Sequence, residues 1–299
     1  MPELEKKELT LDEPEDSLRK QSQVKEVMKR LFRDRLAVVG MVIFAIYVLI
    51  AIFAPILTPY NYAEFSLVEK NQGMSWAHIC GTDQYGRDIF SRLLYGTRYS
   101  LLLGLGAVVI GLALGIILGC VAGYFGGWVE TLIMRGCDVV QSIPGMLLAV
   151  IISVSLGIGV MQTIVALGIG RIALCCRMIR AQFLSQRKLE YVEAAQATNC
   201  SKARLMFVHI LPNTISPLIV SSTMGVGGTI MMAANLSFIG LGVQEPTPEW
   251  GAMLSGAQSL MRHYPYQVII PGLFMAIFVL SLNLFGDGLR DALDPKLKN

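Results

Sequence analysis

Six apolar runs, each near the ~20 residues an α-helix needs to cross a hydrocarbon layer, constrain this chain more than any other feature. They lie at about Leu36–Leu57, Tyr99–Tyr124, Thr131–Val154, Val160–Met178, Thr214–Ile239 and Val268–Leu289. In lipid every backbone N–H and C=O must find its partner within the protein, and a helix satisfies that inside each run. Composition agrees: 54% hydrophobic and 16% charged residues, with a mean hydropathy of +0.55, lie outside the range of soluble domains. The expected fold is an all-α membrane protein with six transmembrane helices. The third run should bend at Pro144, and the fifth is loosened by Pro217, Gly225, Gly227 and Gly228.

Charge placement orients the spans. With the N-terminus inside, the cytoplasmic segments hold eighteen Lys and Arg, and the external ones hold only Lys70, Arg87, Arg92 and Arg262. This divides the chain into a cytoplasmic tail (1–35), a first span (36–57), an extracytoplasmic loop (58–98), a five-helix core (99–289) and a second cytoplasmic tail (290–299). Both termini are then cytoplasmic. Residues 1–23 are polar and mixed in charge, and no cleavable signal peptide is expected there. Val24, Val27, Met28 and Leu31 recur at helical spacing among lysines and arginines. They form either an amphipathic helix on the lipid surface or the positive flank of the first span. The six cysteines show no paired spacing and fall mostly in apolar runs, so no disulfide framework is expected. The net charge of +3 is small, and no nucleic-acid partner is expected.

Two features inside the spans stand out. Ala107, Gly111, Gly115, Gly119 and Gly123 place a small residue on every fourth position of the second span, a surface on which another helix can approach closely. Charged residues within spans are costly and need partners. Arg135 and Asp138 are three apart and can pair on one helix face. Arg171 sits nearer the middle of its span. Asp138 is at comparable depth on the antiparallel neighbour, so Arg171 either pairs with it or lines a cavity where it meets a peptide carboxylate.

Between the fourth and fifth spans lies the longest water-facing insertion of the C-terminal two-thirds (183–213), with Arg187, Lys188, Lys202 and Arg204 in it and Arg177 and Arg180 just before it. It reads as two short helices, one ending near Thr198, broken by Asn199-Cys200-Ser201, and a second running to Leu211 before Pro212. Glu193, Ala194 and Ala195 make a compact face with one anionic handle, the shape of a knob for a groove on another protein. The plain alternative is two amphipathic helices on a membrane surface. Glu193-Ala194-Ala195, a turn at Asn199 and a closing Leu211-Pro212 resemble the EAA loop of bacterial ABC-importer permeases. Asn199 stands where glycine is usual and His209 where isoleucine is common. Asparagine tolerates a left-handed turn best among non-glycine residues. The resemblance implies that Glu193, Ala194, Ala195, Asn199, Leu211 and Pro212 couple the chain to an ATPase subunit.

His78-Ile79-Cys80-Gly81-Thr82-Asp83-Gln84-Tyr85-Gly86-Arg87-Asp88 reads locally as a turn-rich loop with internal ion pairs, and its His and Asp spacing matches no defined metal site. It closely resembles a segment of the C-type permease subunit of dipeptide, oligopeptide and nickel importers. So do Ser91 to Ser100, Leu236 to Gly242, Pro246 to Gly251, and Gly286 through Pro295. Tryptophan, often found in that family after the position of Arg171, is replaced by Ile172. The resemblance implies a type I ABC importer permease fold in the bacterial cytoplasmic membrane. It also implies a second permease subunit, two ATPase subunits and an external substrate-binding protein. No phosphate-binding loop, zinc-hydrolase motif or nucleophile elbow is present, so ATP and Mg are expected on partner chains and no catalytic residue or metal ligand here. Short peptides are the first substrate class, with nickel complexes or glutathione-like compounds as the alternative. An ion-coupled secondary transporter, of another class, would need intramembrane carboxylates near broken helices.

Overall fold

The computed structural model describes residues 23–293; the tails on either side, including Asp294-Pro295, lie outside the described residues. The helices are α1 (Gln23–Leu31), α2 (Arg35–Leu57), α3 (Ile89–Phe125), α4 (Gly127–Ser142), α5 (Gly145–Leu156), α6 (Val160–Gln186), α7 (Glu190–Ala197), α8 (Lys202–Arg204), α9 (Leu211–Phe238), α10 (Trp250–Ala257) and α11 (Tyr266–Leu293). Four of them, α2, α3, α9 with its α8 lead-in, and α11, are long and apolar enough to cross a membrane, and α4 with α5 makes a fifth if that bent pair is one span. α6 has 27 residues, about 40 Å. It is long enough as well, but carries Arg171, Arg177 and Arg180.

The largest interface joins α3 to α6, which run in the same direction. The small-residue stripe forms it. A Cβ on Gly115 would lie 2.5 Å from the Cβ of Cys175, and one on Gly123 would lie 2.4 Å from that of Phe183. Backbones this close maximise dispersion contact where lipid supplies no hydrophobic drive. α2 lies against α11, where Gly40 meets the backbone of Ser281 and Phe285 and Tyr47 donates to the Phe274 carbonyl at 2.7 Å. α1 is a separate helix whose Val27 and Leu31 pack on Ala37, Phe285 and Ala292.

Four boundaries differ from the sequence reading. α3 begins at Ile89, ten residues before Tyr99, because Asp88 caps it by accepting from Ser91 N at 2.7 Å and Arg92, in its first turn, pairs with Glu245. α6 continues past Met178 to Gln186, since Arg177 and Arg180 pair with Asp138 and Glu130 of α4. The third run is broken rather than bent: Ile143, held extended by the proline after it, ends α4, and α5 leaves at 90°. Pro212 does not end a helix. Leu205–Ile210 winds as a π-helix, Leu211 N–H reaching back to Met206 O, and the chain passes through Pro212 into α9. The wider turn accommodates a ring that would strike the carbonyl four residues back.

Candidate functional site

The stretch between α6 and α9 is anchored to the bundle by Val192, Leu205, Met206 and Ile210. Val192 of α7 is fully buried in one cluster with Phe183 near the end of α6 and with Leu205, Met206 and Ile210 of the π-helical stretch, so α7 packs on the turn that leads into α9, beside the end of α6. Tyr191 adds a bond from its hydroxyl to Gln186 Oε1 at 2.9 Å. The opposite side of α7 is open. Glu190, Glu193, Ala194 and Ala197 are exposed, Ala195 is half-buried, and Glu193 has no side-chain partner among the described residues. α7 closes at Asn199, whose φ of 56° is left-handed. Cys200 N donates to Ala195 O at 3.2 Å and Asn199 N to Gln196 O at 3.0 Å, satisfying carbonyls the helix end would leave free. Ser201 then caps α8. Ala194, Ala195, Asn199, Arg204 and His209 line a shallow open groove. Leu211 is half-buried at its base, and Pro212 is exposed. The surface offers small side chains, the exposed carboxylates of Glu190 and Glu193 and a basic edge, which suits docking of a protein surface rather than chemistry on a small molecule.

The intramembrane charges are arranged otherwise than the sequence suggested. Arg171 and Asp138 do not pair. Asp138 is taken by Arg177, with Arg135 at 3.8 Å. The 90° turn after α4 puts that helix beside the later half of α6, six residues or about 9 Å beyond Arg171. Arg171 instead donates to Gly225 O at 3.3 Å and Thr229 Oγ1 at 3.2 Å on α9.

The far end of the bundle holds a network that the sequence only half reveals. Asp83 accepts from Arg87 Nε at 2.6 Å, the internal pair read from the loop. Arg87 Nη2 also donates to both oxygens of Glu245 at 2.7 Å, and Arg92 Nη2 to one of them at 3.2 Å. His78 and Asp88 share a bond of 3.0 Å. Glu249 caps α10 by accepting from Ala252 N at 2.8 Å, and Trp250, fully buried, donates to Leu93 O at 3.3 Å. Glu245 carries no local signal of this role, because Arg87 and Arg92 lie about 150 residues away in the chain.

Comparison with known proteins follows this geometry. Residues 115–299 match the family model described as binding-protein-dependent transport system inner membrane component, and residues 22–73 match the N-terminal TM domain of oligopeptide transport permease C. A dipeptide transport system permease protein of Alkalihalophilus pseudofirmus is 43% identical over 96% of this chain and 94% of its own length. A glutathione transport system permease protein of Pectobacterium atrosepticum is 43% identical over 92% of each. A di/tripeptide transport system permease protein of Pseudomonas aeruginosa is 42% identical over 93% of this chain and 94% of its own. Among solved structures, an inward-facing MetNI methionine ABC transporter chain superposes with a TM-score of 0.55 at 18% identity, over 68% of this chain and 97% of that one. An amino acid ABC transporter chain gives 0.52 at 18%, over 68% and 95%. These likenesses carry the fold, that of type I ABC importer permeases. The chain belongs to the binding-protein-dependent transport system inner membrane component family and is a permease subunit of such a system.

Proposed function

We propose that this chain forms half of the membrane path of an ATP-driven importer of short peptides, and that α7 is where an ATPase subunit pushes on it. The observation that carries the reading is the build of α7: an exposed outer face and one buried residue, Val192, set in a cluster with Phe183 of α6 and with the π-helical stretch that runs directly into α9. Force on the outer face therefore reaches two spanning helices at once. Glu193 is free to accept a charge-assisted hydrogen bond from the partner. Relatives named for dipeptide, di/tripeptide and glutathione transport support peptides first and glutathione as the second reading. ATP and Mg would reside on two ATPase subunits. A second permease subunit would close the path, and an external binding protein would deliver the substrate. The chain itself would do no chemistry.

On this reading α7 and both termini face the cytoplasm, as the charge bias favours. The exposed charges Arg135, Asp138 and Arg177 fit the same picture. A face carrying them is expensive against lipid, so it turns to the second permease or to water in the path. An ion-coupled transporter is disfavoured because Asp138, its obvious carboxylate, is held between two arginines. The test is ATP-dependent dipeptide uptake into liposomes by the complete complex. Ala195→Trp and Glu193→Arg should each reduce uptake more than ten-fold (about 1.4 kcal/mol or more of coupling) while subunit stoichiometry by native mass spectrometry stays unchanged. Full uptake by Ala195→Trp would refute docking at α7.

A further inference from the structure

Arg171, about midway along α6, has no carboxylate partner among the described residues. Its two hydrogen bonds, to Gly225 O and Thr229 Oγ1, go to neutral groups, and its Nε is buried without an acceptor. The bundle is nevertheless shaped around it. A Cβ on Gly111 of α3 would come within 2.6 Å of the Arg171 Cβ, and one on Gly225 of α9 within 2.0 Å of Nη2. Two helices thus carry glycine where this side chain passes.

Beside the guanidinium lies a cavity of about 160 Å³, lined by Gly145, Ala149, Gly170, Gly228 and Thr229. With about 30 Å³ per liquid water, it has room for about five waters, or for a carboxylate and its first carbon atoms. A whole peptide with side chains would not fit. Gly145 is the first residue of the 12-residue α5, so the positive end of that helix borders the same space as the guanidinium. Gly145 and Gly228 are exposed, so the cavity opens on the α5–α9 side of the bundle. A cationic recess opening onto lipid would be costly, which turns this side toward the path instead. Arg171 offers a planar fork of donors that matches a carboxylate.

We propose that the cavity between α5, α6 and α9 is an anion subsite in which Arg171 takes the terminal carboxylate of a peptide in transit. This rests on the peptide-import reading and adds to it the chemical group that the membrane subunit itself recognises. A merely structural Arg171 would pin α6 to α9 and be indifferent to the end group of the substrate.

The test uses the assembled permease–ATPase complex in nanodiscs without the binding protein, so that only the membrane path selects. Binding of alanyl-phenylalanine and of its C-terminal amide is measured by saturation-transfer NMR in the wild type, Arg171→Gln and Gly228→Leu. A Cβ on Gly228 meets nothing within 4 Å, so leucine there fills the cavity without displacing the bundle. The wild type should bind the free acid about ten-fold or more tighter than the amide, as for hydrogen bonds to a charged group. Both variants should lose that preference, and Gly228→Leu decides the matter if Arg171→Gln fails to assemble. Equal binding of acid and amide by the wild type, or a preference that survives in either assembled variant, overturns the subsite. The peptide reading is judged separately, by uptake of the same dipeptide through the complete wild-type system. Uptake without an acid preference in binding removes only the role of Arg171, and absence of uptake removes the peptide reading.

Discussion

The two ends of this bundle handle charge in opposite ways. At the end where α3 begins, Arg87 and Arg92 are 2% and 1% exposed and share Asp83 and Glu245. At the end where α7 lies, Glu190, Glu193, Lys202 and Arg204 all face outward, and Val192 alone of α7 is buried. The first arrangement ties the 58–88 loop to the segment before α10 and to the start of α3. The second leaves charge exposed and fixes the helix by the buried Val192, with Tyr191 and Ala195 half-buried beside it. Buried, paired charge builds a rigid platform, and exposed charge on an apolar foot builds a handle.

The sharpest way to break this comparison is to remove one member of the buried network. Arg87→Met leaves Asp83 without its closest cation and Glu245 with Arg92 alone, and should destabilise the complex by about 3 kcal/mol. Glu190→Ala at the other end should stay within about 0.5 kcal/mol. Thermal unfolding of the purified complex compares the two directly. The double Arg87→Met, Glu245→Gln should recover part of the loss, because the partner's charge is then gone too. If Arg87→Met proves as mild as Glu190→Ala, the platform is not held by its ion pairs.

On the docking reading the handle depends on its backbone as well as on its charge. Asn199 holds a left-handed turn that sets where α7 ends relative to α8. Asn199→Gly should match the wild type in unfolding temperature and uptake, since glycine takes that conformation freely. The β-branched Asn199→Val should cost about 1 kcal/mol or more and reduce uptake several-fold. Uptake at the wild-type level in the Val variant would mean that the turn does not set the docking geometry.

What was legible in the sequence was local. Each span announces itself in about twenty consecutive residues, and the break at Asn199-Cys200-Ser201 rests on the turn chemistry of three neighbours. What was not legible depends on partners far along the chain. The first turns of α3 read as loop because Arg92 is a charge before an apolar run, and its carboxylate, Glu245, is 153 residues on. Arg171 looked like a partner for Asp138 because a straight third span puts them at one depth. The turn at Pro144 shifts α4 along α6 and gives Asp138 to Arg177. Pro212 reads as a stop signal, and only the π-helical stretch before it shows how the helix carries on.

The smallest expected effects come from one glutamate at each end, changed to glutamine. Glu249 is wholly buried in the loop before α10, where it accepts from Ala252 N, with Ser100 Oγ at 3.4 Å from its other oxygen. Burial pushes its carboxyl above the usual carboxylate range, against the opposing pull of the Gly251 and Ala252 amides. The folded state therefore holds this proton more tightly than the unfolded state. Stability from this group falls as pH rises from the ordinary carboxylate range through the raised value. Glu249→Gln keeps an acceptor for the α10 amides and removes the ionisation. Its stability should differ from the wild type by under about 1 kcal/mol, with a flatter decline across that pH window. Glu193 is exposed and caps nothing among the described residues. Glu193→Gln should leave the unfolding temperature within about 0.5 kcal/mol of wild type and act instead on the coupling of ATP hydrolysis to uptake. Unfolding curves at a series of pH values, beside ATPase and uptake rates for the same preparations, separate the two. A Glu249→Gln profile that parallels the wild type would show that the buried carboxyl does not titrate in the window. A Glu193→Gln variant that loses stability while keeping its coupling would reverse the roles assigned to the two ends.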